Sequence, residues 1–87
     1  MSTETTTTQA RIRDVLRLHA HLTKDVDALD SSDDLYAAGM TSHASVTVML
    51  ACEDEWDVEF PQRMLTRTTF SSVDAIAAAL AELGATS

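Results

Sequence analysis

Gly39-Met40-Thr41-Ser42-His43-Ala44-Ser45-Val46-Thr47-Val48-Met49-Leu50-Ala51-Cys52-Glu53-Asp54-Glu55-Trp56 decides how this chain folds. A glycine closes a turn, two hydroxyl residues follow, and a run without Gly or Pro continues at helical spacing. Stepping about 100° per residue from Ser42, the residues Ser45, Val48, Met49, Cys52 and Trp56 gather at roughly 240–340° and form the expected core face. His43, Val46, Thr47, Leu50, Glu53 and Asp54 lie at roughly 20–140°. Two readings of this second face stand. It is a wide apolar stripe tucked under a loop, or Val46 and Leu50 form a small docking patch with Glu53 and Asp54 as charged guides. Two aliphatics would suit weak, transient contact.

Working outward, Ile12, Val15, Leu16, His19 and Leu22 repeat at helical spacing and predict a first helix from about Gln9. Residues 1–8 are Thr-rich, without periodic apolar positions, and read as a disordered tail. Thr23–Thr41 is long and polar, with Asp25, Asp27, Asp30, Asp33 and Asp34. A stretch of that length needs a short element, and Asp33 to Gly39 offers one: an acid to cap a turn, Leu35 and Tyr36 to anchor it, and Gly39 to end it. These acids lack the alternating spacing and closing Glu of a calcium loop, so no metal is expected. Downstream, Pro61 stops a brief alternation, Gln62–Thr66 suggests a short third helix burying Met64 or Leu65, and Ser71 or Ser72 caps a fourth. Val73, Ile76, Ala77, Leu80 and Leu83 are that helix's inward stripe, and Gly84 ends it. The fold class is therefore all-α: a small irregular four-helix bundle with a long loop between helices one and two, in one domain spanning residues 9–84.

Composition narrows the function. Fourteen acids against six bases give 87 residues a net charge of −8, which disfavours nucleic acid and favours basic patches on partner proteins. No apolar run approaches the roughly 20 residues of a membrane span, and no basic-then-apolar leader opens the chain. Cys52 is alone, so nothing argues for an oxidising compartment, and the cytoplasm is the expected location. A monomer is expected.

Ser42 opens a helix behind a turn. Amides of a first helical turn lack intrahelical partners and carry the positive end of the dipole, so a phosphate esterified there would sit in a favourable field. Equally, Ser42 or Thr41 is simply the N-cap. Hydrolase chemistry finds little support. Ser42 and His43 diverge by about 100° on a helix, and Thr41 and Ala44 replace the glycines of a nucleophile elbow. His19 and His21 diverge likewise and make a poor metal pair. Cys52 on the core face reads as an apolar filler.

With these residues assembled, Asp34–Ile76 resembles the acyl and peptidyl carrier proteins. The resemblance lies in Asp34-Leu35-Tyr36-Ala37-Ala38-Gly39-Met40-Thr41-Ser42-His43-Ala44-Ser45-Val46, in Glu53-Asp54-Glu55-Trp56-Asp57-Val58-Glu59-Phe60-Pro61, and in Thr69-Phe70-Ser71-Ser72-Val73. Three segments in family order and spacing are far more specific than a lone serine. The resemblance implies a non-catalytic carrier with 4'-phosphopantetheine, taken from coenzyme A by a phosphopantetheinyl transferase, attached to Ser42. Cargo would ride as a thioester on the arm's sulfur, and Thr41, His43, Val46, Leu50, Glu53 and Asp54 would form the partner-docking face. Thr41 replaces the family's usual acid and His43 its usual Leu or Ile. Leu-Tyr-Ala-Ala-Gly-Met-Thr-Ser, Val-Glu-Phe-Pro and Leu-Thr-Arg look closer to bacterial stand-alone aminoacyl carrier proteins. That implies loading by a seryl-tRNA-synthetase-like amino acid:carrier protein ligase. A fatty-acyl or polyketide carrier served by an acyl-activating enzyme, and an interaction module without an arm, are the alternatives.

Overall fold

A computed structural model describes the backbone of residues 3–84 and the side chains of residues 8–84. Three α-helices account for the regular structure: α1 (Thr3–His19), α2 (Ser42–Trp56) and α3 (Val73–Glu82). Three short 3-10 turns, Val26–Ala28, Gln62–Met64 and Thr68–Phe70, join them, and there is no strand among the described residues. The expected third helix at Gln62–Thr66 is thus one 3-10 turn, which does bury Met64. Among the described residues the count of α-helices is three rather than four. Leu65 leaves the helical region at ψ 64°, and Thr66, Thr68 and Thr69 are poor helix formers, so the segment stops after one turn. Helix α1 begins at Thr3, ahead of the start expected near Gln9, whereas the side chains of most of the proposed tail at 1–8 lie outside the described residues.

Helix α1 is the hub, packing against both α2 and α3. Ile12 and Leu16 on α1, Val48 and Cys52 on α2, and Ile76 and Leu80 on α3 are all essentially inaccessible to water. Phe60 and Phe70 meet edge to face, with centroids 5.4 Å apart, and fill the gap in front of α3. No polar or charged residue is buried among the described ones.

The segment between α1 and α2 is ordered by backbone and by its acids. Arg13 donates to the Val26 carbonyl at 2.7 Å, and Arg17 pairs with Asp27 at 2.7 Å, fastening the first 3-10 turn to α1. Asp25 caps that turn by accepting from the Asp27 amide. Asp33 accepts from the Asp30 amide and Asp34 from the Tyr36 amide. Three of these acids therefore serve as local caps, a use of short carboxylates that competes with metal binding. No cluster suited to a metal occurs among the described residues.

Two backbone bridges then tie the segment to α3. Leu35 donates its amide to the Ser71 carbonyl at 2.7 Å, and the Asp74 amide donates to the Ser31 carbonyl at 2.9 Å. Ser72, one of the two expected caps, accepts from the Ala75 amide. Gly39 closes the turn into α2 at φ +115°, where a side chain is strained. A Cβ there would also stand 2.9 Å from the Thr23 backbone nitrogen, which itself donates to the Ala38 carbonyl.

Candidate functional site

The turn ending at Gly39 delivers the chain to the N-terminus of α2. Thr41, in extended conformation, is the N-cap: its hydroxyl accepts from the Ala44 amide at 3.0 Å. Of the two residues that could have capped, Thr41 does it, and Ser42 becomes the first helical residue. Ser42 is exposed, and its hydroxyl makes no hydrogen bond to a described residue. Its carbonyl accepts from the Ser45 hydroxyl at 2.7 Å. A hydroxyl released from capping, at the positive end of a four-turn helix, is open to take a phosphate ester.

Beside Ser42 lies a cleft of about 320 Å³. Ser45, Val46 and Met49 form its α2 wall, and Leu65, Thr66, Arg67 and Phe70 form the opposite wall. Tyr36 contributes from the turn before α2, with the Arg67 guanidinium 3.9 Å above its ring centroid. Tyr36 and Arg67 were not singled out from the sequence as partners, because stacking between residues so far apart in the chain leaves no periodic signal. An exposed hydroxyl, apolar walls and one cation thus share one opening.

The buried stripe of α2 is Ala44, Val48, Cys52 and Trp56. It differs from the expected core face at three positions. Ser45 and Met49 are only half-buried and face the cleft, whereas Ala44 is buried. A strict four-residue spacing makes a narrow stripe, and a small alanine at its head lets α2 approach its neighbours closely.

Val46 is 50% and Leu50 55% exposed, and Thr41, His43 and Asp54 are exposed beside them. Glu53 behaves differently. One of its carboxylate oxygens accepts from the Phe60 amide at 2.8 Å, so this side chain clasps the turn after α2. Asp57 in that turn is left-handed, at φ 53°, and the Val58 amide donates to the Glu53 carbonyl. On the other flank of α2, Leu50, Thr47 and Asp54 share a second cleft with Leu18, which is 71% exposed on α1. Leu18 escaped the sequence reading because it falls outside the inward stripe of α1.

Cys52 is fully buried, and burial, with Glu55 and Glu53 adding to it, pushes its thiol up to about 12. It is a thiol at neutral pH and no nucleophile. Because the folded value lies above the unfolded one, this group leaves stability untouched below about 9 and subtracts from it as pH rises from there to about 12. Native protein at pH 8 should react with iodoacetamide at least ~100-fold more slowly than protein in denaturant. Comparable rates in the two states would show that α2 opens readily.

The family model for a phosphopantetheine attachment site matches residues 9–80. The aminoacyl carrier protein of Agrobacterium fabrum (strain C58) is 45% identical over 67 residues, 77% of this chain and 81% of that protein. Among solved structures, the fold is similar to a chain of an engineered Bradyrhizobium japonicum glycine:carrier protein ligase complexed with carrier protein from Agrobacterium tumefaciens and ATP. The TM-score is 0.83 at 40% identity, covering 86% of this chain and 97% of that one. A solution structure from Agrobacterium tumefaciens is also similar, with TM-score 0.68 and 40% identity over 85% of this chain and 89% of that chain.

Proposed function

Because the chain belongs to the family of carriers that bear a phosphopantetheine attachment site, we propose that it holds an activated amino acid as a thioester on an arm esterified to Ser42. The observation that carries this reading is the exposed Ser42 hydroxyl, free of capping duty, at the first turn of α2 and beside an open cleft. The chain is a carrier and not itself an enzyme. The arm supplies a terminal thiol for the cargo, and the protein's own residues do the rest. Thr41 satisfies the Ala44 amide through its hydroxyl and leaves Ser42 available. The helix dipole favours the phosphate charge. The modest cleft suits a small cargo better than a long chain, being near the lower end of the roughly 300–1,000 Å³ usual for small-molecule sites.

A phosphopantetheinyl transferase would supply the arm from coenzyme A. An amino acid:carrier protein ligase would load it, in keeping with the ligase complex of the similar carrier. A downstream acceptor enzyme would unload it, and the cytoplasm is where coenzyme A chemistry places all three. We read residues 9–84 as the carrier unit, and the 3-10 turn Gln62–Met64 as the shortened third helix of a four-helix carrier bundle.

The docking face in this reading comprises Thr41, His43, Val46, Leu50 and Asp54, with Glu53 contributing through its remaining oxygen and Leu18 extending the apolar patch onto α1. Leu50→Ala should lower kcat/KM for ligase loading about three- to tenfold, the loss of one modest interface contact, while its melting curve superimposes on wild type. A lowered melting temperature would instead assign Leu50 to the core. The function itself is tested by intact mass. Incubation with coenzyme A and a broad-specificity transferase should add one arm, and ATP, a ligase and a small amino acid should then add a hydroxylamine-labile aminoacyl group. Protein unmodified by several transferases would overturn the reading, and exclusive loading of long acyl chains would overturn its amino acid part.

A further inference from the structure

We infer that the loading ligase grips this carrier in the groove between α1 and α2, where Leu18 and Leu50 flank a seat for an aliphatic side chain that the ligase presents beside a Lys or Arg. Leu18, on α1, is the residue that decides which partners fit. This deepens the docking reading above and rests on it.

Four large aliphatics stand exposed among the described residues: Leu18, Val46, Leu50 and Leu65. An exposed leucine by itself needs no explanation. Leu18 and Leu50 are not by themselves, because they line one opening of about 480 Å³. Val15, buried, and Ala51, half-buried, share that lining and lie deeper than the two leucines, so the groove has an apolar base. On the α2 side the lining runs from Thr47 to Glu55, about 12 Å at 1.5 Å per residue, room for two turns of a partner helix. The groove opens on the flank of α2 away from the Ser42 cleft, and Leu50 stands about 12 Å along the helix from Ser42. A partner seated there leaves the serine uncovered.

Charge selects the occupant. Three acids, Asp14, Asp54 and Glu55, line the groove with Arg11 and His19. Arg11 is already engaged, holding Glu55 at 2.7 Å, and Asp14 is held by Arg17. Asp54 is exposed and has no ion pair among the described residues. It also sits in the last turn of α2, which carries no base and where the helix dipole disfavours an acid, so helix stability does not account for it. A cation brought from outside would relieve that charge. A second copy of this chain would bring a further net −8 instead, which disfavours pairing of the leucines across a dimer. An aliphatic knob with a neighbouring base fits both features: the knob loses water against Leu18 and Leu50, and the base meets Asp54.

Loading kinetics and NMR test this, with a glycine:carrier protein ligase that intact mass first shows to charge the holo wild type. Leu18→Ala should raise KM for the carrier about three- to tenfold and leave kcat within about twofold, the signature of a lost binding contact. Leu18→Glu should raise KM at least ~10-fold by placing a charge in the apolar seat, whereas Leu18→Met should keep most of the affinity. Since both leucines hold one side chain, Leu18→Ala with Leu50→Ala should cost less than the product of their separate effects. Asp54→Asn should cost about two- to fivefold and make loading less sensitive to salt. Leu18 is exposed, so melting curves of its variants should superimpose on wild type; if Leu18→Glu melts early, Leu18→Ala and the NMR carry the test. Ligase titrated into apo carrier should shift the amides of Leu18, Thr47 and Asp54. Wild type that takes no arm, or takes one and is charged by no such ligase, overturns the function proposed above and this seat with it. A charged carrier whose KM is unmoved by the Leu18 variants, or in which ligase leaves the α1 signals in place, overturns the seat alone.

Discussion

Ser42→Ala is expected to leave a transferase reaction with its mass unchanged, while wild type gains one arm under the same conditions. The loss should be complete, because no neighbouring hydroxyl can substitute. Thr41 is committed to the Ala44 amide, and Ser45 to the Ser42 carbonyl one turn further into the helix. The fold should not notice the change. The Ser42 side chain is exposed and bonds no described residue, so stability should stay within about 0.5 kcal/mol of wild type. Thermal melting beside intact mass separates the two effects. An arm still acquired by Ser42→Ala would move the attachment elsewhere, and a large fall in melting temperature would make Ser42 a structural cap after all.

Leu35→Ala should be the most damaging substitution for the fold. Its side chain is fully buried beneath the connection between α1 and α2, and its backbone is a junction. The amide donates to Ser71 at the entrance to α3, and the carbonyl accepts from Ala38 and Met40 in the turn that launches α2. Truncating a buried leucine destabilises by about 2–5 kcal/mol, against a total of roughly 4–13 kcal/mol for a chain of this length. The melting temperature should fall by at least about 10 °C, and transferase modification should slow at temperatures where the turn loosens. A melting curve like that of wild type would mean the connection is not packed as described.

How much of this was legible beforehand varies with the kind of interaction. Local signals were readable: Gly39 in a turn needing positive φ, Ser72 before the last helix, an exposed Ser42 at a helix start. Each depends on a few adjacent residues. The same reading misjudged features set by neighbours distant in sequence. Ser45 and Ala44 exchange places between surface and core because α2 must fit α1 closely, which a helical wheel does not know. Glu53 looked like a surface guide, yet one oxygen closes the turn at Phe60, seven residues on. Glu53→Lys is therefore a poor probe of docking alone. The third helix shrank to a single turn since its pattern of Met64 and Leu65 was too short to decide between helix and turn. The Tyr36–Arg67 stack belongs to tertiary structure alone.

Trp56 has a use of its own. It is the only tryptophan, packed at the far end of α2 under the Arg11 guanidinium 4.6 Å away, with its indole N–H unpartnered among the described residues. Fourteen helical residues at 1.5 Å each put it about 21 Å from Ser42. Emission from this single indole, excited at wavelengths too long for Tyr36, should follow denaturation yet ignore what hangs from the serine. Denaturant titrations of the bare, armed and charged forms thus share one optical baseline. Any displacement between their midpoints would measure the linkage between cargo and folding directly.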